Sequence, residues 1–382
     1  MSKLNDLIKE MCPNGVEYVK LEELVDYIQP AKYIVKNTNY DIKYDVPVLT
    51  AGQTFILGYT NEKDGIYYAS ADNSVIIFDD FTTSNHWVDF NFKVKSSAMK
   101  ILISKTDNLF KYIYYCISNI DYIPKEHSRQ WIQVYSQFQI PLPPLKVQEK
   151  IVKIIDKFGE LEAELEAELE ARKNQYEFWR EKLLNRGNFN QQYITLGDIG
   201  KVCMCKRIMK NETSDSGDVP FYKIGTFGKQ ADAYISYDIF NDYKKRFSYP
   251  KKGEILVSCS GTIGRAVVFD GNDAYFQDSN IVWLNNDERK ILNKFLYYFY
   301  QTSPWNVSDG GTIKRLYNNQ FISAKVPLYS LEEQKRIVNI LEHFDKLIND
   351  ISEGLPAEIE LRRKQYEYYR NKLLNFEELK NE

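Results

Sequence analysis

Histidine is almost missing from this chain, with three copies in 382 residues. Its five cysteines, Cys12, Cys116, Cys203, Cys205 and Cys259, are odd in number and form no Cys-x-x-Cys pair, so neither a disulfide framework nor a zinc site is expected. No run approaches the ~20 apolar residues that span a bilayer. The opening MSKLNDLIKEMCPNG lacks the apolar core of a signal peptide, and the expected location is the reducing cytoplasm. Catalytic signatures are missing too. Ser260-Gly261-Thr262-Ile263-Gly264-Arg265 is glycine-rich but has neither the lysine nor the spacing of a phosphate loop. The Asn-Pro-Pro-aromatic motif of amino-methyltransferases is absent, because Pro143-Pro144 sits within Leu-Pro-Pro-Leu. His86 and His127 stand alone. Asp79-Asp80 invites a metal reading, but neighbours on a strand point to opposite faces, which favours a turn-capping pair. Catalysis by this chain itself is not expected.

What is present is one long sentence written twice. Residues 140–185 and 326–375 match at an offset of 186, which places Pro141, Gln148, Ile151 and Phe158 on Pro327, Gln334, Ile337 and Phe344. Past the middle the offset becomes 190, so that Gln175, Tyr176, Arg180 and Lys182 meet Gln365, Tyr366, Arg370 and Lys372. Solenoid units run to roughly 20–50 residues, so this period marks a duplicated half-molecule with an internal pseudo-two-fold axis. Val147, Ile151, Ile154, Ile155, Phe158 and Leu161 recur at helical spacing, as do Ile337, Ile340, Leu341, Phe344, Leu347 and Ile351. Each copy is therefore expected to be a long helix, the two pairing antiparallel as a coiled coil. Leu161–Arg172 repeats a four-residue Leu-Glu-Ala-Glu unit whose glutamates repel at i,i+4. Gly354-Leu355-Pro356 in the second copy predicts a break.

The intervening segments read as compact mixed α/β heads. Short apolar runs (74–78, 94–96, 254–258, 266–269) are separated by turn signals such as Lys63-Asp64-Gly65, Asp270-Gly271-Asn272 and Asp309-Gly310-Gly311. The clearest helices are 109–116 and 291–300. The expected fold is mixed α+β, with two α/β domains separated by two long antiparallel helices. Its divisions are 1–145 and 186–330 for the heads, and 146–185 and 331–382 for the helical regions. Net charge is only −3, but residues 186–330 hold 19 basic against 14 acidic side chains, so polyanion binding would rest on local patches.

Several polar patches fit such binding. In the first head these are Thr82, Thr83, Ser84, Asn85 and His86, then Lys93 and Lys95, then Arg129 and Gln130. In the second they are Lys206 and Arg207, Lys244, Lys245 and Arg246, then Ser260, Thr262 and Arg265, and Lys314 and Arg315. Arg129 and Arg315 coincide at the 186 offset. Arginine can grip guanine, and glutamine or asparagine adenine, while hydroxyls and lysines suit phosphates. Tyr176, Phe178, Trp179, Tyr366, Tyr368 and Tyr369 near the helix ends either form a partner surface or pack inward against the heads.

These residues carry a family resemblance. The Pro-Leu lead-in, the Gln-Glu-Lys-Ile or Glu-Gln-Lys-Arg-Ile helix start and the Gln-Tyr-Glu-aromatic ending of each copy resemble the specificity subunit of type I restriction–modification systems. So do Phe78–Thr83 with Lys93–Lys100, and Gly253–Ser258 with Ser260–Gly264. The resemblance implies a non-catalytic subunit with two target-recognition domains, each reading half of a bipartite site in double-stranded DNA. It also implies two adenine methyltransferase subunits held by the helices, which use S-adenosylmethionine. Through them come two restriction–translocation subunits that use ATP with Mg, and no cofactor is expected in this chain. Four-residue helical units are associated in the family with gap length. The competing readings are a coiled-coil protein–protein adaptor with two ligand-gripping heads, and a stand-alone modification enzyme.

Overall fold

The computed structural model describes residues 2–50, 54–184, 191–305 and 314–379; Asn185 and the Asp309-Gly310-Gly311 turn lie outside them. Packing divides the chain into two compact units, one of Met1–Leu165 with Ile359–Glu382 and one of Glu166–Glu358. The first begins with α1 (Ser2–Met11), β1 (Glu17–Lys20), α2 (Leu21–Leu24), β2 (Val25–Ile28), β3 (Val46–Leu49) and β4 (Ile56–Thr60). It continues through β5 (Val75–Asp79), β6 (Asn85–Val88), β7 (Lys93–Val94), β8 (Met99–Ser104), α3 (Phe110–Ser118) and β9 (Gln139–Leu142). Helix α4 (Leu145–Leu184) belongs to both units. The second unit adds β10 (Tyr193–Thr195), β11 (Gly200–Cys203), β12 (Val219–Tyr222), β13 (Tyr234–Ile235), α5 (Tyr237–Arg246), β14 (Ile255–Ser258) and β15 (Ala266–Val268). Then come β16 (Tyr275–Phe276), β17 (Ile281–Asn286), α6 (Asn293–Tyr300), α7 (Asn318–Ser323), β18 (Lys325–Pro327) and α8 (Leu331–Asn349). Helix α9 (Leu355–Leu373) starts in the second unit and supplies the first with its later turns.

The two heads share one topology. A four-stranded antiparallel sheet runs β2-β8-β5-β6 in the first and β11-β17-β14-β15 in the second. A three-stranded sheet runs β4-β3-β7 or β13-β12-β16, and in both its last pair is parallel. A two-stranded ribbon, β1-β9 or β10-β18, closes each head at the start of its long helix. Strands β5 and β14 are buried along their whole length, which suits near-continuous apolar sequences covered on both faces. Period-two alternation then sorts their side chains. Ile76 and Phe78 join Leu102, Tyr112, Ile113, Val147 and Ile151 beneath the helices, whereas Val75 and Ile77 face Leu49, Phe92 and Val94. In the second unit Val257 packs with Phe295, Leu296, Ile337 and Leu341, and Leu256 with Phe221, Tyr275 and Trp283.

One buried glutamine in each unit joins head to helix. Gln148, on α4, accepts from Leu109 N (3.1 Å) at the start of α3 and donates to Pro143 O (2.7 Å) and Asn108 Oδ1 (3.1 Å). Its repeat mate Gln334, on α8, accepts from Leu292 N (2.8 Å) at the start of α6 and donates to Lys290 O (2.8 Å) and Tyr329 O (2.9 Å). Neither α3 nor α6 has a side-chain N-cap of its own. The glutamine carbonyl replaces it, satisfying an orphan amide that burial would otherwise penalise.

Helix pairing is antiparallel within each unit. In the first, Phe158 stacks on Tyr369 (5.3 Å) and Glu162 bridges Arg363 (2.9 Å), one number rising as the other falls. In the second, Tyr176 meets Phe344 (6.4 Å), and the Tyr329 hydroxyl donates to Leu183 O (3.3 Å). Along the Leu-Glu-Ala-Glu units only Leu161, Leu165 and Leu169 are part-buried apolar residues, while Glu164, Glu166, Glu168 and Glu170 are exposed. Helix α8 ends at Asn349 and α9 begins at Leu355, with Pro356 in its first turn. A Cβ at Gly354 would lie 2.6 Å from Asp350 O and 2.7 Å from Lys346 O, so the break admits only glycine.

Candidate nucleic-acid interface

In the first head the β5–β6 hairpin presents its turn at the surface. Asp79 caps that turn as the sequence suggests, its carboxylate accepting from Phe81 N (2.8 Å) and Thr82 N (3.3 Å). Thr83 takes a left-handed φ of 64°, which costs a non-glycine residue energy and is held here by Thr83 N donating to Asp79 O (3.0 Å). Thr82 and Ser84 are exposed, with hydroxyl oxygens 3.1 Å apart. Asp80 is not a second cap. It is 1 % exposed, accepts from Trp131 N (2.9 Å), and lies 3.5 Å from Lys100 and 3.4 Å from Arg129. That carboxylate ties the 128–131 loop to the hairpin, so Arg129 stands at the tip. Its guanidinium lies 5.9 Å from the Phe81 ring, on which His127 stacks (4.7 Å).

The second head builds the same place from different residues. Gln130 N donates to Asp80 O in the first head, and Leu316 N donates to Cys259 O in the second, each at 2.8 Å. Asp80 N and Cys259 N are likewise paired, with Ala98 O and Asn280 O. Arg129 and Arg315, equivalent in the repeat, are thus equivalent beside the two hairpin tips. Arg315 is tethered otherwise, donating through Nη2 to the carbonyl of Ser279 (2.7 Å), itself at a φ of 55°. The tip Ser260–Gly264 uses Gly261 and Gly264 at positive φ and leaves Thr262 exposed. Ser260 donates to Asn280 Oδ1 (2.9 Å), and Arg265 is half-buried, donating to Phe227 O (2.8 Å). Lys314 is exposed beside Arg315.

Two basic clusters far apart in sequence meet in the second head. Lys206 Nζ and the Arg246 guanidinium both lie over the Phe247 ring, at 5.3 and 5.2 Å. Lys244, Lys245 and Arg246 crowd the last turn of α5, where cations complement the helix dipole. Arg207 pairs with Asp278 (3.0 Å), Lys244 with Asp273 (3.2 Å) and Arg246 with Asp242 (2.7 Å). The Lys244 and Arg246 pairs are largely exposed on both sides, so each is weak and exchangeable for another anion, whereas Asp278 is mostly buried.

Several expected contact residues are instead interior. Lys93 is 1 % exposed, bridged to Glu62 (2.9 Å) and donating to Asp64 O (2.6 Å), because β7 is flanked by the core rather than the surface. Desolvation works to raise the Glu62 carboxyl, but the Lys93 ammonium and the amides of Asn37 (3.0 Å) and Lys36 (2.9 Å), which donate to it, hold it below its usual range. Gln130 is buried, donating to Ser128 O (2.8 Å) and accepting from the Tyr122 hydroxyl (2.9 Å), so its amide is spent shaping the Arg129 loop. Thr83 is buried as well. Asn85 accepts from the Ser118 hydroxyl (2.5 Å), and His86 stacks on Phe55 (4.0 Å), burial pushing its pKa down toward the neutral ring. Lys95 remains exposed, 5.9 Å from the Tyr40 ring. Burial lowers the pKa of Lys100.

The helix-end aromatics divide by face. Tyr176 is buried in the second unit's core, Tyr366 and Tyr369 pack against the first unit's core, and these three therefore point inward. Phe178, Trp179 and Tyr368 are exposed. Phe178 and Trp179 form an edge-to-face pair (5.5 Å) with Lys182 over both rings; Lys372 lies over Tyr368. The cysteines are poor nucleophiles: burial pushes Cys116 and Cys205 up to about 12 and Cys259 to about 11. No described helix is long and apolar enough to cross a membrane. Asp80, Phe81, His127 and Phe247 were missed as site residues, since each acts through partners distant in sequence.

Known proteins resemble the whole chain. The family profile described as "Type I restriction modification DNA specificity domain" matches residues 13–171 and again 190–361. A putative type I restriction enzyme specificity subunit of Haemophilus influenzae is 45% identical over 380 residues, covering 94% of this chain and 96% of its own. A type I restriction enzyme specificity subunit of Escherichia coli is 40% identical over 402 residues, covering 98% of each. Among solved structures, the S subunit of a type I system from M. genitalium matches with a TM-score of 0.53 at 14% identity, covering 94% of this chain and 96% of that one. A chain from a study of type I complex assembly and conformational transition matches with a TM-score of 0.56 at 14% identity, covering 95% and 98%. With its paired domain matches and two near-full-length relatives, the chain belongs to the family of type I restriction–modification specificity subunits.

Proposed function

We propose that this chain is the non-catalytic sequence reader of its complex, each head (1–145 and 186–330) recognising one half of a bipartite site in double-stranded DNA. The observation that carries this is the paired tip: one topology, equivalent arginines, and otherwise different side chains. Equal scaffolds place two reading surfaces in like positions, and unlike tips let them read unlike sequences. The basic cluster around Phe247 supplies phosphate affinity, which positions without specifying. The helical regions 146–185 and 331–382 set the gap between half-sites. Through Phe178, Trp179 and Tyr368 they hold two adenine methyltransferase subunits, exposed aromatics being effective interface anchors. Two restriction–translocation subunits join through those partners. S-adenosylmethionine, ATP and Mg act in the partner subunits, and the complex works in the cytoplasm.

The test is to assemble the full chain with its methyltransferase subunits and measure binding to duplexes carrying the methylated sequence mapped in the source genome. Selective binding whose log affinity falls linearly with log salt supports the reading. Equal affinity for all duplexes, or none, overturns it.

A further inference from the structure

At the first hairpin tip an exposed arginine is tied at one corner to a buried carboxylate. Arg129 is half exposed and reaches Asp80 Oδ2 through Nη1 at 3.4 Å. Asp80 is itself immobilised. Its amide donates to Ala98 O (3.1 Å), its carbonyl accepts from Gln130 N (2.8 Å), and its other carboxylate oxygen accepts from Trp131 N (2.9 Å). Lys100, 1 % exposed, lies 3.5 Å from the same oxygen that holds Arg129. Among the described residues, Nη1 is the Arg129 nitrogen with a protein acceptor, so Nε and Nη2 keep their donors for a ligand. A free arginine loses much rotamer freedom when it binds, and one already held at one nitrogen has less to lose.

A phosphate gains little from such fixing, because a mobile cation can follow it. The flat edge of a base demands a fixed plane. The geometry points to Asp80 as a positioning residue that holds the Arg129 guanidinium as a rigid fork for the paired O6 and N7 acceptors of one guanine in the half-site read by the first head. This rests on the DNA-reading function proposed above. The second head ties Arg315 to a backbone carbonyl instead, so the same fork is not carried over to it.

The experiment uses the full chain assembled with its methyltransferase subunits and duplexes carrying the mapped methylated sequence. Each guanine of both half-sites is replaced in turn by 7-deazaguanine, which lacks the N7 acceptor. One guanine of one half-site should be sensitive in the unaltered complex. Arg129→Ala should lose about 5- to 150-fold discrimination at that base pair and become indifferent to the 7-deaza replacement there. Arg129→Lys, which keeps the charge but not the fork, should lose the same discrimination without flattening the salt dependence. Asp80→Asn retains an acceptor for Trp131 N and should weaken reading at that pair alone, with discrimination at the other base pairs of the same half-site unchanged as the measure of intact folding. Uniform weakening of Arg129→Ala on all sequences, with the salt slope flattened by about 0.9, would make Arg129 a phosphate contact and overturn the inference. So would a site with no 7-deaza-sensitive guanine. An unaltered complex that binds all sequences equally would instead overturn the DNA-reading function itself.

Discussion

Replacing Gln148 by leucine removes the clamp between the first head and its helix without changing volume much. The buried amide accepts one hydrogen bond and donates two, and leucine can do neither. Leu109 N, Asn108 Oδ1 and Pro143 O each lose a partner, the last in a fully buried hydrogen bond. Each stranded buried group costs about 1–3 kcal/mol, and the apolar side chain recovers part of that, leaving a net loss of about 3 kcal/mol. A unit of this size loses about 2–4 °C of melting temperature per kcal/mol, so its transition should fall by about 6–12 °C. Hydrogen–deuterium exchange localises the effect: peptides spanning 105–120 should lose protection while those spanning 288–302 keep it. Gln334→Leu should give the mirror result, and the two should add, because they sit in different compact units and share no partner. A shift below about 2 °C, or equal deprotection in both units, would refute the clamp.

Lys245→Ala should flatten the log–log salt dependence of duplex binding by about 0.9, and Lys244, Lys245 and Arg246 together by no more than about 3; an unchanged slope in the complex would place the cluster off the DNA. Phe178→Ala with Trp179→Ala should weaken methyltransferase assembly at unchanged melting temperature, measured by analytical ultracentrifugation. Tyr369→Ala should instead destabilise the first unit, since its ring stacks on Phe158; loss of assembly without loss of stability would reverse that assignment. Deleting Leu165–Glu168 removes about 6 Å of helix and rotates the remaining turns of α4 by about 40°, close to one base-pair step of about 35°. The methylome of such a strain should show both half-sites unchanged and a gap one base pair shorter, and an unaltered gap with retained activity would rule out a ruler.

The long helices were legible because both their cues are local. Apolar residues recur at helical spacing, and Gly354-Leu355-Pro356 announces its break without help from the rest of the chain. Duplication added what a single copy could not offer: matching Arg129 with Arg315 put them at equivalent places before any strand order was known. The contact residues were harder, because exposure is decided by partners elsewhere. Lys93 reads as a surface cation until Glu62 and the Asp64 carbonyl close over it. Asp80 reads as a turn cap until Lys100, Arg129 and Trp131 converge on it. At the helix ends the composition was plain but the faces were not. Tyr369 turns in while Tyr368 turns out, because the antiparallel partner brings Phe158 to one face only.

Two heads of one topology with unlike tips imply that each reads alone. Exchanging residues 186–325 for the corresponding segment of a relative with a different methylated sequence, then mapping methylated adenines in the resulting strain, tests this most directly. One half-site should become the relative's while the other half-site and the gap stay as they were. A change in both half-sites, or in neither while methylation persists, would contradict independent reading by the two heads.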